Sequence, residues 1–115
     1  SRGGERLFRP AVDVLEREDK LVVTAELPGM NKEDIEIRVE EDQLILSGER
    51  KQEEEVTEAG YHRTERVYGR FHRTFLLPAG VDAAAVTATY RDGLLQITLP
   101  KAEEAKPRKI AIEAA

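Results

Sequence analysis

At 115 residues and 12.9 kDa, with 40% hydrophobic and 36% charged residues, the chain suits one domain with a modest core and a heavily solvated remainder. Eighteen basic against twenty-three acidic residues give a net charge of −5 with no dense basic patch, which disfavours nucleic-acid binding. The absence of cysteine removes disulfides, thiolate metal sites and cysteine nucleophiles together, and is compatible with a reducing cytoplasm.

The first ten residues lack the apolar region of a secretion signal, and no apolar run approaches the ~20 residues a membrane-spanning helix needs. The chain opens on Ser1 rather than methionine, which points to a trimmed N-terminus. From there period-two alternation dominates. Val12 and Val14, then Leu21, Val23, Ala25 and Leu27, then Ile35, Ile37 and Val39 each set apolar side chains on one face with polar ones between. In "NKEDIEIRVEED" that alternation outweighs the helical template and leaves a single turn at residues 31–34. The pattern resumes in "QLILSGER", "RFHRTFLLP", "VTATYRD" and "LLQITLP", separated by the breakers "LPGMNKED", "EED", "PAGVDAAA" and "RDG". Seven short strands at this spacing predict an all-β, immunoglobulin-like antiparallel sandwich of two sheets.

Two segments resist this scheme. Residues 50–67 are too long for an ordinary hairpin connection. Within them "YHRTERV" is extended in flavour but too polar for a core, so it reads either as an arm that pairs with an edge elsewhere or as a disordered acidic loop. At the other end, the charged, proline-marked residues 101–107 look like a solvated linker, yet Ile110 and Ile112 follow at strand spacing. A frayed tail or a last strand of the chain's own sheet would not need such a linker. A reach to another molecule would, with both isoleucines pointing the same way into adjacent holes beside a sheet edge.

No catalytic constellation emerges. His62 and His72 lack metal-ligand spacing, the acids at Glu53 to Glu55 and at Glu103 and Glu104 are neighbours on exposed stretches, and there is no G-x-S-x-G elbow, P-loop or G-x-G-x-x-G. The chain is therefore read as a non-enzyme with no cofactor and no metal. Arg73 shares parity with Phe71, Phe75 and Leu77, so a regular strand would aim it at the apolar face. It must snorkel out or meet a carboxylate, the favoured version being a salt bridge at a subunit contact, unless a bulge reverses the parity.

From about Arg9 to Ile112 the chain resembles the small heat-shock proteins of bacterial and plant type: an alpha-crystallin domain with its C-terminal extension. "AELPGMNKEDIEIRVE" and "LILSGER" resemble successive strands of that family, "YGRFHRTFLLP" its aromatic-Gly-x-Phe-x-Arg-x-Phe-x-Leu-Pro signature with the characteristic arginine at Arg73, and "ATYRDGLLQITLPK" its A-x-x-x-n-G-v-L motif with Asp92 for Asn and Leu94 for Val. "IAI" is similar to the family's I-x-I motif. The resemblance divides the chain into residues 1–9, the remainder of an arm in which only Leu7 and Phe8 are apolar, residues 10–100 as the domain, and residues 101–115 as the extension.

It further implies that Ile110 and Ile112 dock in a neighbouring protomer's groove lined by Ile35, Ile37, Val39, Val86 and Ala88. The loop would then be a strand-exchange loop, its strand with Tyr61, Arg63, Glu65 and Val67 pairing with the partner's first strand at Val12 and Val14, and Arg73 at the dimer contact. The implied function is a cytoplasmic, ATP-independent holdase that binds unfolding client proteins, built as a homodimer and a larger homo-oligomer, with no nucleic-acid or membrane partner. The rival is an adaptor sandwich of the CS-domain co-chaperone type, which resembles neither the "IAI" tail nor the overlong loop. A small hydrolase or carbohydrate-binding sandwich would need convergent acids or an aromatic platform, and the chain has no tryptophan.

Overall fold

The structure, a computed structural model, describes residues 7–56 and 62–115. Seven strands follow one another: β1 (Val12–Glu16), β2 (Lys20–Glu26), β3 (Ile35–Glu40), β4 (Gln43–Val56), β5 (His62–Leu76), β6 (Thr87–Arg91) and β7 (Leu94–Pro100). They form a four-stranded sheet in the order β1-β2-β7-β6 and a three-stranded sheet in the order β3-β4-β5, with every strand pairing antiparallel. This is the two-sheet sandwich that the alternation predicts, and the single turn expected before Ile35 is a 3-10 turn at Lys32–Asp34.

The alternation becomes a core because the register matches apolar rows across strands. Leu21 faces Leu99, Val23 faces Ile97 and Ala25 faces Leu95, and all six are buried. The second sheet closes over them with Leu44, Leu46 and Phe71. Removing these side chains from water supplies the main drive to fold. The β6–β7 connection is a two-residue turn in which Asp92 (φ 52°) and Gly93 (φ 79°) both adopt left-handed backbone, the geometry that the twist of an antiparallel hairpin favours and that Asp-Gly supplies at low cost.

Two expectations change. Residues 50–67 are not an overlong loop: β4 continues to Val56 and β5 begins at His62, so the two strands run on beyond the sandwich as a two-stranded arm. Its residues alternate polar with polar, so neither face advertises a core, and a search for apolar alternation cannot find it. Arg50 pairs with Gly69 and Lys51 with Val67, leaving Tyr68 as an extra residue, and this bulge marks where the arm leaves the sandwich. The arm and the C-terminal extension stretch the chain to 90 × 25 × 21 Å with a radius of gyration of 20.1 Å. A compact chain of this length would have about 13 Å.

The second change concerns the linker. Residues 101–105 are not a free reach, because the Lys101 amide donates to the Asp19 carbonyl (2.9 Å) and the Ala102 amide to the Gly80 carbonyl (2.6 Å). A 3-10 turn at Glu103–Ala105 follows, and Ala105 packs so closely on Gly80 that a side chain there would collide with it. Backbone groups make this anchor, and their donors and acceptors are the same whatever the side chain. Ile110 therefore hangs five residues beyond a fixed point, a span of ~17 Å when extended.

Candidate functional site

Four edge strands border the sandwich, and two of them, β3 and β6, flank an open apolar groove. Along β3 the residues Ile35, Ile37 and Val39 are half-buried; they pack against the core on one side and remain uncovered on the other. Two adjoining hollows result. One, of about 330 Å³, is lined by Ile35, Ile37, Ala88, Tyr90 and Leu95; the other, of about 310 Å³, by Ile37, Val39, Ala83, Val86 and Ala88. Ile37 and Ala88 belong to both and form the partition between them. The small side chains of Ala83 and Ala88 leave the room, and the Asp82 carboxylate, which accepts from the Ala84 amide (3.2 Å), fixes the turn that carries Ala83.

Ile35, Ile37, Val39, Val86 and Ala88, the residues that the resemblance implies for a tail-docking groove, line these two hollows. Tyr90 and Leu95 were missed, although Tyr90 lies one alternation step beyond Val86 and Ala88 on the same face and could have been added by continuing the count. Its hydroxyl donates to the Leu27 carbonyl (2.5 Å) and accepts from the Met30 amide (3.3 Å), which ties the groove's end to the Leu-Pro-Gly turn.

The tail does not enter this groove in the single chain. Ile110 is 82% and Ile112 97% exposed, and residues 106–115 form no strand. Two hollows and two exposed isoleucines thus coexist in one molecule.

The second region is β1 with the arm. β1 pairs with β2 alone, so its outer edge is open among the described residues. Val12 faces Ala25 and packs on the core, whereas Val14, opposite Val23, is 52% exposed because β1 lies at the margin of the sandwich. Val67 is half-buried at the base of the arm. Arg63 and Glu65 are placed by their backbone within β5, opposite Glu55 and Glu53, and Tyr61 lies outside the described residues. Within one chain the arm strands pair only with each other and do not reach Val12 and Val14.

Arg73 keeps the inward parity read from the sequence, since the bulge lies before Phe71. Among the described residues it meets no carboxylate: Nη1 donates to the Pro10 carbonyl at 2.9 Å and the guanidinium lies 5.0 Å from the Phe75 ring centroid. A carbonyl and a π face offer partial compensation for a half-buried cation. Near the arm's base Lys51 pairs with Asp34 (3.0 Å) and Arg70 with Glu49 (2.9 Å). Among the described residues no group of three or more histidines, cysteines or acids could hold a metal ion, and no helix is long and apolar enough to cross a membrane.

Residues 13–113 match the model of the Hsp20/alpha crystallin family. The chain belongs to that family. It is a family of small heat-shock chaperones rather than of enzymes, and the match runs through Ile110 and Ile112. Small heat shock protein C4 of Rickettsia felis is 36% identical over 107 residues, 93% of this chain and 66% of that protein, so the chain spans slightly under two thirds of its relative's length. Among solved structures, heat shock protein 16.0 from Schizosaccharomyces pombe superposes with a TM-score of 0.71 at 40% identity, covering 92% of this chain and 99% of that one. A small heat-shock protein from Xylella fastidiosa, described as having a distinct high order structure, gives 0.66 at 36% identity over 93% and 98% of the two chains.

Proposed function

We propose that this small heat-shock protein is an ATP-independent holdase of the cytoplasm that captures partly unfolded proteins and prevents their aggregation, its capture surfaces masked at rest by its own assembly. The carrying observation is the coexistence of an open, two-hollow apolar groove with a separate, fully exposed Ile110/Ile112 pair on one chain. Burying an isoleucine contributes about 1.5–3 kcal/mol gross. Against this stands the ordering of a tail at about 1–2 kcal/mol per residue. A single tail is thus held weakly, and many tails together hold an oligomer that heat can loosen.

Assembly begins with a homodimer in which the arm of one protomer, through the strand bearing Tyr61, Arg63, Glu65 and Val67, adds to the open edge of β1 at Val12 and Val14 of its partner. The position of Arg73, bonded to Pro10 just before β1, supports a place for it beside that contact. Tails then join dimers by seating Ile110 and Ile112 in neighbouring grooves, one isoleucine per hollow, with residues 10–100 acting as the domain and residues 101–115 as the connector. Warming frees grooves and β1 edges for clients, and the charged surface keeps the complexes in solution. The cycle needs no nucleotide, so release and refolding fall to other chaperones.

The test is light scattering of an aggregating client, reduced insulin, with and without the protein, beside the solution mass of the parent and of the double variant Ile110→Ala, Ile112→Ala. Suppression of aggregation, with the parent larger than a dimer and the variant a dimer, is the expected result. No suppression for this or any heated client sinks the holdase reading. A variant that keeps the parent's mass sinks the tail as the connector.

A further inference from the structure

The segment before β1 carries the aromatic side chain Phe8, and its surroundings are more specific than a tail would need. Its ring lies 5.4 Å from that of Phe71 at a 57° tilt, and the Arg50 guanidinium sits over it, 4.0 Å from its centroid. Gly69 lies beneath: a side chain there would come within 3.4 Å of the ring. An aromatic wall, a cation over the π face and a glycine floor together make a seat for one aromatic ring.

Arg50 adds an independent observation. Its Nε is buried and has no hydrogen-bond partner among the described residues. The aromatic face is thus the compensation for that buried atom, and an empty seat would leave it with none.

The attachment of the ring's own segment is slight. Leu7 makes an isolated parallel bridge to Arg70, the Phe8 amide donates to the Arg70 carbonyl (2.9 Å), and Pro10 accepts from Arg73 (2.9 Å), while the Leu7 side chain is 85% exposed. Beyond these contacts the outer edge of β5, the last strand in its sheet, pairs with no strand among the described residues. One ring packed on the core, the buried Pro10 and a few hydrogen bonds must offset the ordering of four residues, about 1–2 kcal/mol each, so the terms for and against seating are of similar size. Lifting it exposes at once an aromatic subsite and the strand edge beside it, the two elements by which an extended chain is recognised.

We propose that the Phe8 seat is a second client subsite, which takes one aromatic side chain of an extended, partly unfolded polypeptide laid along β5, and that residues 7–10 occupy it at rest as an internal substitute. The proposal rests on the holdase reading and deepens it. It differs from the groove in place, at the β5 edge rather than between β3 and β6, and in preference, for an aromatic ring under a cation rather than for paired aliphatic side chains.

The experiment uses a fluorescein-labelled peptide with the sequence of residues 5–11, ERLFRPA, its fluorescence anisotropy read against the parent chain and against Phe8→Ala. The variant with its seat emptied is expected to bind at least tenfold tighter than the parent. The same peptide with alanine for phenylalanine is expected not to bind, and Arg50→Gln combined with Phe8→Ala to lose most of the gain. Reduced, carboxymethylated lactalbumin, a permanently unfolded chain, is expected to displace the peptide.

Equal binding by parent and variant, or tolerance of the alanine peptide, overturns the seat. Failure of the unfolded protein to displace the peptide overturns its role toward clients. Should Phe8→Ala not fold, Phe8→Leu, which keeps an apolar side chain but removes the π face, is read instead, and a gain below threefold overturns the proposal. Suppression of insulin aggregation by the parent, measured separately, keeps failure of the seat distinct from failure of the holdase reading.

Discussion

The groove between β3 and β6 and the arm built from the ends of β4 and β5 are both places where the sandwich meets the outside, yet they are made on opposite plans. The groove is apolar, shallow and backed by the core; Ile37 touches the buried cluster on one side and open space on the other. The arm stands away from the core and is stabilised by a two-stranded ladder, in which Lys51–Val56 pair with His62–Val67. A surface that works by burial must be held rigid by what lies behind it. One that works by strand addition needs only a free edge and the right register. Substitutions should therefore separate the two functions.

The largest effect should come from a residue beneath both. Phe71 is buried, meets the Phe8 ring at a tilt and crowds the backbone at Gly48, where an added side chain would come within 2.7 Å of its ring. Phe71→Ala removes a core aromatic ring and leaves a cavity, at a cost of about 3–5 kcal/mol. Urea denaturation should show the midpoint falling with little change in slope, and groove and arm should fail together. A loss below 1 kcal/mol would mean that the ring contributes little to the core.

Next come the variants that divide the pair. Ile37→Asp puts a carboxylate on the partition of both hollows and should cut tail docking by at least tenfold, so that mass measurements find dimers instead of larger assemblies. Gln52→Pro strikes the arm instead, since it removes an amide hydrogen and fixes φ in a strand that only the pairing with β5, at Arg66, holds in place. Here the dimer should give way to monomer while the melting temperature of the sandwich moves by no more than about 4 °C, the shift about 1 kcal/mol makes in a domain of this size. If Ile37→Asp yields monomers, or if Gln52→Pro leaves the dimer intact, the two plans are not separate and the assignment of edges is wrong.

The same contrast explains what could be read before the structure. All seven strands were legible because each has an apolar face, whereas the groove was named only through the family resemblance, since alternation cannot tell where along β3 the facing sheet stops covering Ile35, Ile37 and Val39. Ile45 is buried too, yet it points to the opposite side of β4 from Leu44 and Leu46 and lies outside the main cluster. Alternation alone assigns such a residue to solvent. The arm was legible only as an anomaly of length, because a ribbon polar on both faces leaves no periodic trace. Arg73 was placed on the correct face, but its partner is the main-chain carbonyl of Pro10, and the identity of a residue says nothing about where its backbone oxygen points. The anchored root of the tail was hidden for the same reason, being made by the amides of Lys101 and Ala102.

That root also supplies the smallest and most discriminating effect, since there the extension meets the end of β1, the strand whose outer edge is open. Lys101 Nζ lies 2.9 Å from a Glu16 carboxylate oxygen, so the first residue of the extension is paired with the last residue of β1. Glu16 is mostly exposed, and an ion pair open to water on one side contributes about 0–1 kcal/mol and weakens with salt. Lys101→Ala should therefore lower the melting temperature by a few degrees at most, and 1 M salt should reduce the difference from the parent. The backbone bonds to Asp19 and Gly80 do not depend on that side chain, so the tail should leave the domain from the same point and the solution mass should not change. A mass that did change would mean that the exit of the tail and the edge of β1 are coupled through this one pair, so that a dimer clasped at β1 would alter how its tails reach their neighbours.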